Sequence, residues 1–155
     1  MEVCMIERSE RFLSQLKRHE GLELEAYRCP AGFLTIGWGH NVEARPVAGV
    51  QTVGDSISRG TAEALLYDDV KLRCRELDKA YPWWRGMSEA RQGVLLNMHF
   101  NMGMSTLKTF KLALAAMECG DWSEAGRQML ASRWAGQVKG RAAELARQMV
   151  LGEWE

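Results

Sequence analysis

The sequence is poor in most of the features that would place it outside the ordinary folded domains. It has 3 prolines in 155 residues, so there is no polyproline linker or proline-rich recognition tract. It has 4 cysteines, Cys4, Cys29, Cys74 and Cys119, with no CxxC pair and no close spacing. That scatter argues against a zinc site, and the chain is long for a disulfide framework, so free thiols, no metal and no cofactor are expected. Net charge is missing as well: 20 basic residues balance 20 acidic ones, which speaks against nucleic acid as a partner. No apolar run approaches the ~18 residues of a membrane span. The opening Met1-Glu2-Val3-Cys4-Met5-Ile6-Glu7-Arg8 has no apolar stretch of the kind a secretory leader carries. The expectation is a monomer made in a reducing cytoplasm, with no signal peptide, no anchor and no stable membrane association.

What is present is a core. Apolar residues are 46% of the chain, enough for one globular domain over residues 1–155. The neutral total hides an asymmetry: residues 1–78 carry 10 basic and 13 acidic groups, residues 79–155 carry 10 and 7. A solvated surface accounts for that difference.

Along the chain the periodicity changes twice. Ile6, Phe12, Leu13 and Leu16 form a helical stripe that closes at Gly21, a residue able to take the left-handed conformation at a helix end. Glu20 then lies at the negative end of the helix dipole, where the anion is disfavoured, as a general acid requires. From Leu22 the pattern alternates, turns at Pro30-Ala31-Gly32, and resumes in the β-prone Phe33-Leu34-Thr35-Ile36. Residues 41–56 read as loop with room for a third short strand.

Ser58 caps a long helix with the stripe Ala62, Leu66, Val70, Cys74 (or Leu77) and Tyr81, stopped at Pro82. Ser88 caps a segment apolar nearly all round, the mark of a central buried helix, interrupted by Asn97, His99 and Asn101 and ended by Gly103. Leu107, Phe110, Leu114 and Met117 mark the next helix, and Asp121 with Glu124 opens another that runs through Trp134. A last helix covers Ala142 to Leu151. The layout is α+β and mostly α: a β-hairpin lobe over about 21–57, a bridging helix over about 58–81, and a helical lobe over about 82–155 joined by an N-terminal helix over about 5–20.

The chemistry sits in the first of these pieces. Glu20 is followed nine positions on by Cys29 and six beyond that by Thr35, then by Ile36-Gly37-Trp38-Gly39-His40. That spacing resembles the phage-type lysozymes of glycoside hydrolase family 24, whose pattern is Glu, eight residues, Asp or Cys, five residues, Thr, then Ile-Gly-x-Gly-His. Two further blocks are similar to the same family: Leu95-Leu96-Asn97-Met98-His99-Phe100-Asn101-Met102-Gly103, and Ser132-Arg133-Trp134 with Arg141 and Gly152-Glu153-Trp154.

The resemblance implies a lysozyme-like fold and hydrolysis of the β-1,4 bond between N-acetylmuramic acid and N-acetylglucosamine in peptidoglycan glycan strands. Glu20 is then the general acid, Thr35 holds the attacking water, and Cys29 takes the place of the more familiar aspartate. A thiolate at position 29 has two routes open: attack on the anomeric carbon, or a share in placing water. Arg141 and Asn97 support Glu20, with Arg141 favouring its anion against the helix dipole. His40 pairs with Asp69 as a structural tie. Gly39, Phe100 and Asn101 line the cleft, and Trp38 adds stacking. The implied role is an endolysin held in the host cytoplasm until a holin opens its way to the periplasm. The competing reading is an inactive peptidoglycan-binding module on the same fold. A weaker third reading has Cys29 under redox control through Cys4 or another thiol.

Overall fold

The computed structural model describes residues 5–154. Among them the elements are helix α1 (Glu10–Glu20), strands β1 (Glu23–Arg28), β2 (Leu34–Gly37) and β3 (His40–Asn41), and helices α2 (Arg59–Ala80), α3 (Glu89–Leu107), α4 (Lys111–Cys119), α5 (Trp122–Leu130), α6 (Arg133–Val138) and α7 (Gly140–Leu151). Short 3-10 turns stand at Ile6–Arg8 and Pro82–Gly86. This is the α+β, mostly helical architecture that the periodicity predicts. The chain forms two compact units, one of residues 13–72, the other of the residues up to Phe12 together with those from Arg73 onward. The division falls inside α1 and inside α2.

In the first unit, α1 stops where Gly21 takes φ +71° and its N–H bonds the Lys17 carbonyl at 2.9 Å. Glycine pays no Cβ penalty in that conformation. The chain then enters an antiparallel sheet of order β1-β2-β3. Every residue of the central β2 is buried. The outer edge of β1 is satisfied by the chain around residues 54–57: Ala26 N–H donates to Asp55 O (2.7 Å), Gly54 N–H to Ala26 O (2.9 Å) and Ile57 N–H to Leu24 O (2.9 Å). Paired edges of this kind leave no open strand for aggregation. Beneath the sheet lies a core of Ala26, Leu34, Ile36, Val42 and Val50, with Val47, Ile57 and Leu65 packed against it. The third strand comes earlier than expected, at His40–Asn41, because the Trp38-Gly39 turn sends the chain straight back along β2. Within 41–56 only an isolated Val47–Val50 bridge forms, together with the Ser56 bridge to Glu25.

The long helix is capped as expected, Thr61 N–H donating to Ser58 Oγ at 3.1 Å. Ala62, Leu66, Val70, Cys74 and Leu77 are all buried, whereas Tyr81 falls just past the end of α2 and is only half-buried.

In the second unit α3 is the centre. Val94, Leu95, Leu96 and Met98 are fully buried, each such side chain contributing about 1.5–3 kcal/mol. Its polar interruptions all have partners: Asn97 accepts from Arg141, His99 Nε2 meets Glu76 Oε1 at 3.1 Å, and Asn101 Oδ1 accepts from the Trp134 indole N–H at 2.7 Å. Gly93 lets Trp154 lie directly on α3, since a Cβ there would stand 2.5 Å from the indole.

At Gly103 (φ 79°, ψ 166°) the backbone leaves the helical region, as the glycine predicts, and a further short helical stretch carries Leu107. One helix limit differs from the sequence reading. The helix opened by Asp121 stops at Leu130. Ser132 accepts the Ala135 N–H and starts a new helix, so Trp134 belongs to α6.

Helix α7 packs on α5 and α3, and its C-terminal carbonyls have a dedicated partner. Arg91 Nε donates to Met149 O at 2.7 Å and Nη2 to Val150 O at 3.0 Å, while its guanidinium lies 4.0 Å from the centre of the Trp122 ring. A cation there satisfies orphan carbonyls and faces the negative end of the dipole. Arg91→Ala is therefore expected to lower stability by about 2 kcal/mol in urea denaturation. Arg91→Lys recovers little of it, because one ammonium cannot reproduce the planar fork. An Arg91→Ala protein as stable as its parent contradicts this account of α7.

Candidate active site

Cys29 occupies the first position of a tight turn. Its carbonyl accepts the Gly32 N–H at 2.8 Å, and its own N–H donates to Phe33 O at 3.0 Å. Pro30 presets the turn, and Gly32 takes φ +90° to close it. A side chain at this position looks back over the amides that follow. Burial pushes the Cys29 thiol up, but the N–H groups of Phe33 and Ala31, the Thr35 hydroxyl and the Gly32 N–H all favour the thiolate. The donors prevail, and the thiol titrates below its ordinary value. An aspartate would be held by the same donors, as in an Asx turn.

Thr35 sits in β2, buried, its hydroxyl donating to the Phe33 carbonyl at 2.8 Å. A hydroxyl has one proton, so while that bond stands the oxygen offers only its lone pairs to a further neighbour. The hairpin tip is clamped from outside: Leu34 N–H donates to Glu43 Oε2 at 2.7 Å, and Arg28 donates to Gly32 O at 3.2 Å.

Glu20 is the last residue of α1 and is half-buried. Tyr27 ties it to the hairpin electrostatically. Burial, then the negative charges of Glu20, Cys29 and Glu23, push the Tyr27 phenol up. Glu20, Cys29, Thr35 and Tyr27 thus belong to one compact unit. Tyr27 escapes the sequence reading, although it stands two residues before Cys29, the spacing that shares a strand face.

His40 Nδ1 lies 2.7 Å from Asp69 Oδ2 and its Nε2 lies 2.8 Å from the Arg45 carbonyl. Arg45 also pairs with Asp69, a partner with no signal in the sequence. Burial lowers the affinity of His40 for its proton, but the hydrogen bond to Asp69 and the Arg45 carbonyl, both acceptors, raise it further, so the net shift is upward. Trp38 is buried, with Lys17 Nζ 4.7 Å and the Arg59 guanidinium 5.6 Å from its ring centre. Gly39 stays half-exposed beside it in the turn.

In the helical unit, Arg141 Nε and Nη2 donate to Asn97 Oδ1 at 3.0 and 2.8 Å. Phe100 is half-buried and Asn101 exposed. Asn101 borders a cavity of about 740 Å³ lined also by Met102, Phe110, Leu112, Trp134 and Gln137. Of the other cysteines, Cys74 is buried, and burial and Glu7 push its thiol up to about 12. Cys119 is exposed, and all three are free thiols. Cys4 lies outside the described residues. Among the described residues no His, Cys, Asp and Glu cluster is placed to hold a metal, and no helix is long and apolar enough to cross a membrane.

Comparison with known proteins agrees with this arrangement. The family model described as phage lysozyme matches residues 17–148. The chain is 30% identical, over 88% of its own length and 86% of the relative's, to a protein named endolysin from Acyrthosiphon pisum secondary endosymbiont phage 1. It is 29% identical to a probable T4-type lysozyme 1 of Dictyostelium discoideum, over 82% and 86%. It is 32% identical to the pre-baseplate central spike protein Gp5 of Enterobacteria phage T4, over 90% of this chain but 28% of the spike's length.

The His40 geometry carries a pH signature. Its folded-state pKa is raised, so its contribution is complete below the unfolded value of about 6.5 and declines as pH rises through the folded value. His40→Gln is expected to cost about 3 kcal/mol near pH 5.5. That deficit shrinks on the alkaline side in urea titrations, and a deficit independent of pH contradicts the pairing.

Proposed function

The chain belongs to the phage lysozyme family, and from that premise we propose that it is a muramidase cleaving the β-1,4 bond between N-acetylmuramic acid and N-acetylglucosamine of peptidoglycan. The observation that carries the reading is the hairpin tip, where the turn amides lower the affinity of the Cys29 thiol for its proton beside the Thr35 hydroxyl.

In the proposed reaction Glu20 delivers its proton to the leaving glycosidic oxygen as the C1–O bond breaks and positive charge develops on the ring. A water accepted between Thr35 Oγ1 and the Cys29 thiolate has both of its protons turned toward the protein and a lone pair turned outward. That water attacks C1, and one of its protons passes to the thiolate. Solvent then returns the proton lost by Glu20 and takes the one gained by Cys29. Direct attack by sulfur is the competing route: the donors make each thiolate less nucleophilic but raise the share of thiol that is ionised. Gly39 on the hairpin unit, and Phe100 and Asn101 on the helical unit, are further proposed sugar contacts. Arg141 with Asn97 is proposed to act in support of the general acid. In this reading the enzyme lyses its host as an endolysin, reaching the periplasm through a lesion made by a separate holin.

Turbidity loss of permeabilised Gram-negative cells tests the proposal. Glu20→Gln is expected to abolish it. Cys29→Ser loses most of the activity, by about 100-fold or more if a catalytic base is lost, while Cys29→Asp keeps it. An active Cys29→Ser protein sinks the chemical role of the thiol, and an active Glu20→Gln protein sinks the mechanism. Iodoacetamide near pH 7.5 is expected to inactivate the parent in step with alkylation of the Cys29 peptide, read by mass spectrometry, and to leave Cys29→Asp active. Inactivation that follows Cys119 alone contradicts the role of Cys29.

A further inference from the structure

Tyr27 borders the proposed centre and has no part in the reaction as written. It stands directly opposite Thr35 in the β1–β2 register. Residues so paired share one face of the sheet, with Cβ atoms about 5 Å apart. Cys29 follows two residues later, and its N–H still bonds across to Phe33 O, so the alternation of side chains brings it to the same face. Tyr27, Cys29 and Thr35 form one surface, and Glu20 acts on the same phenol from the end of α1.

The Tyr27 ring is half-buried, and its hydroxyl has no hydrogen-bond partner among the described residues. Burial and the charges of Glu20, Cys29 and Glu23 keep the phenol protonated well above neutral pH. In the working range it is therefore an unused donor with Glu20, Cys29 and Glu23 around it. Those groups repel a carboxylate or phosphate, so the acceptor that fits is uncharged: a hydroxyl, a ring or bridging ether, or an acetamido carbonyl. A glycan offers all three.

We propose that Tyr27 is a substrate-contacting residue whose hydroxyl donates a hydrogen bond to an uncharged oxygen of the glycan strand beside Glu20 and Cys29. This rests on the muramidase reading, and it extends the site by one residue that neither the sequence motif nor the reaction demands.

The test uses full-length Glu20→Gln protein, which lacks the proposed general acid and so leaves the ligand uncut, titrated calorimetrically with soluble, peptide-free glycan strands of alternating N-acetylmuramic acid and N-acetylglucosamine. Adding Tyr27→Phe is expected to weaken binding about 3- to 10-fold, the range for one lost neutral hydrogen bond, with an unchanged Tm. In the active background the same substitution raises KM by a similar factor. Equal affinities with and without the Tyr27 hydroxyl overturn the proposal, as does a loss of affinity that tracks a lowered Tm, which marks a structural role. If Glu20→Gln with Tyr27 intact binds no glycan, the muramidase reading fails first and takes this inference with it.

Discussion

A turn of five residues, Cys29 to Phe33, sets the proton affinity of the Cys29 thiol. Its backbone bonds hold the sulfur of its first residue over the amides of those that follow, and the hydroxyl of Thr35 joins them from the neighbouring strand. Three turn amides, with the Thr35 hydroxyl beside them, outweigh the cost of burying the sulfur, so the thiol gives up its proton more easily than a free cysteine does. Everything else in the hairpin unit keeps that turn in shape. Glu43 and Arg28 fasten its tip, and the chain around residues 54–57 secures the far edge of β1. Below it the Ala26, Leu34, Ile36, Val42 and Val50 core fixes the register.

Several buried polar side chains in both units enter the interior opposite a group that completes them. His40 lies between a carboxylate and a carbonyl, and Asn97 receives two guanidinium donors. Left alone, such groups would cost roughly 1–3 kcal/mol apiece. Paired, they fix side-chain orientation more firmly than apolar packing does. The cost appears at His99, whose Nδ1 is buried without a partner and whose affinity for a proton is lowered by burial and by Arg73, with Glu76 opposing.

The parts of the fold that rest on local chemistry were legible in the sequence. Gly21, Ser58, Ser88 and Asp121 mark helix limits through backbone conformation and side-chain caps, and all four act as the residues suggest. What escaped was decided by longer-range geometry. Trp134 continues an apolar pattern, but Ser132 intercepts the chain and restarts it as a separate helix. That Lys17 and Arg59 both stand over the Trp38 ring follows from the folded chain and has no local signal. Arg45 is one more surface arginine until Asp69 is in place. Spacing marks Glu20, Cys29 and Thr35 as a set, whereas the place of Tyr27 emerges only from the strand register.

The account stands on the claim that the Cys29 thiolate and Thr35 orient a water rather than sulfur itself attacking carbon. Proton NMR of the newly released reducing end, recorded before mutarotation, tests that claim most directly. A single displacement on the β-linkage predicts that the α-anomer of N-acetylmuramic acid appears first and then equilibrates. The β-anomer appearing first would mean two displacements through a sulfur-bound sugar, and would contradict the account.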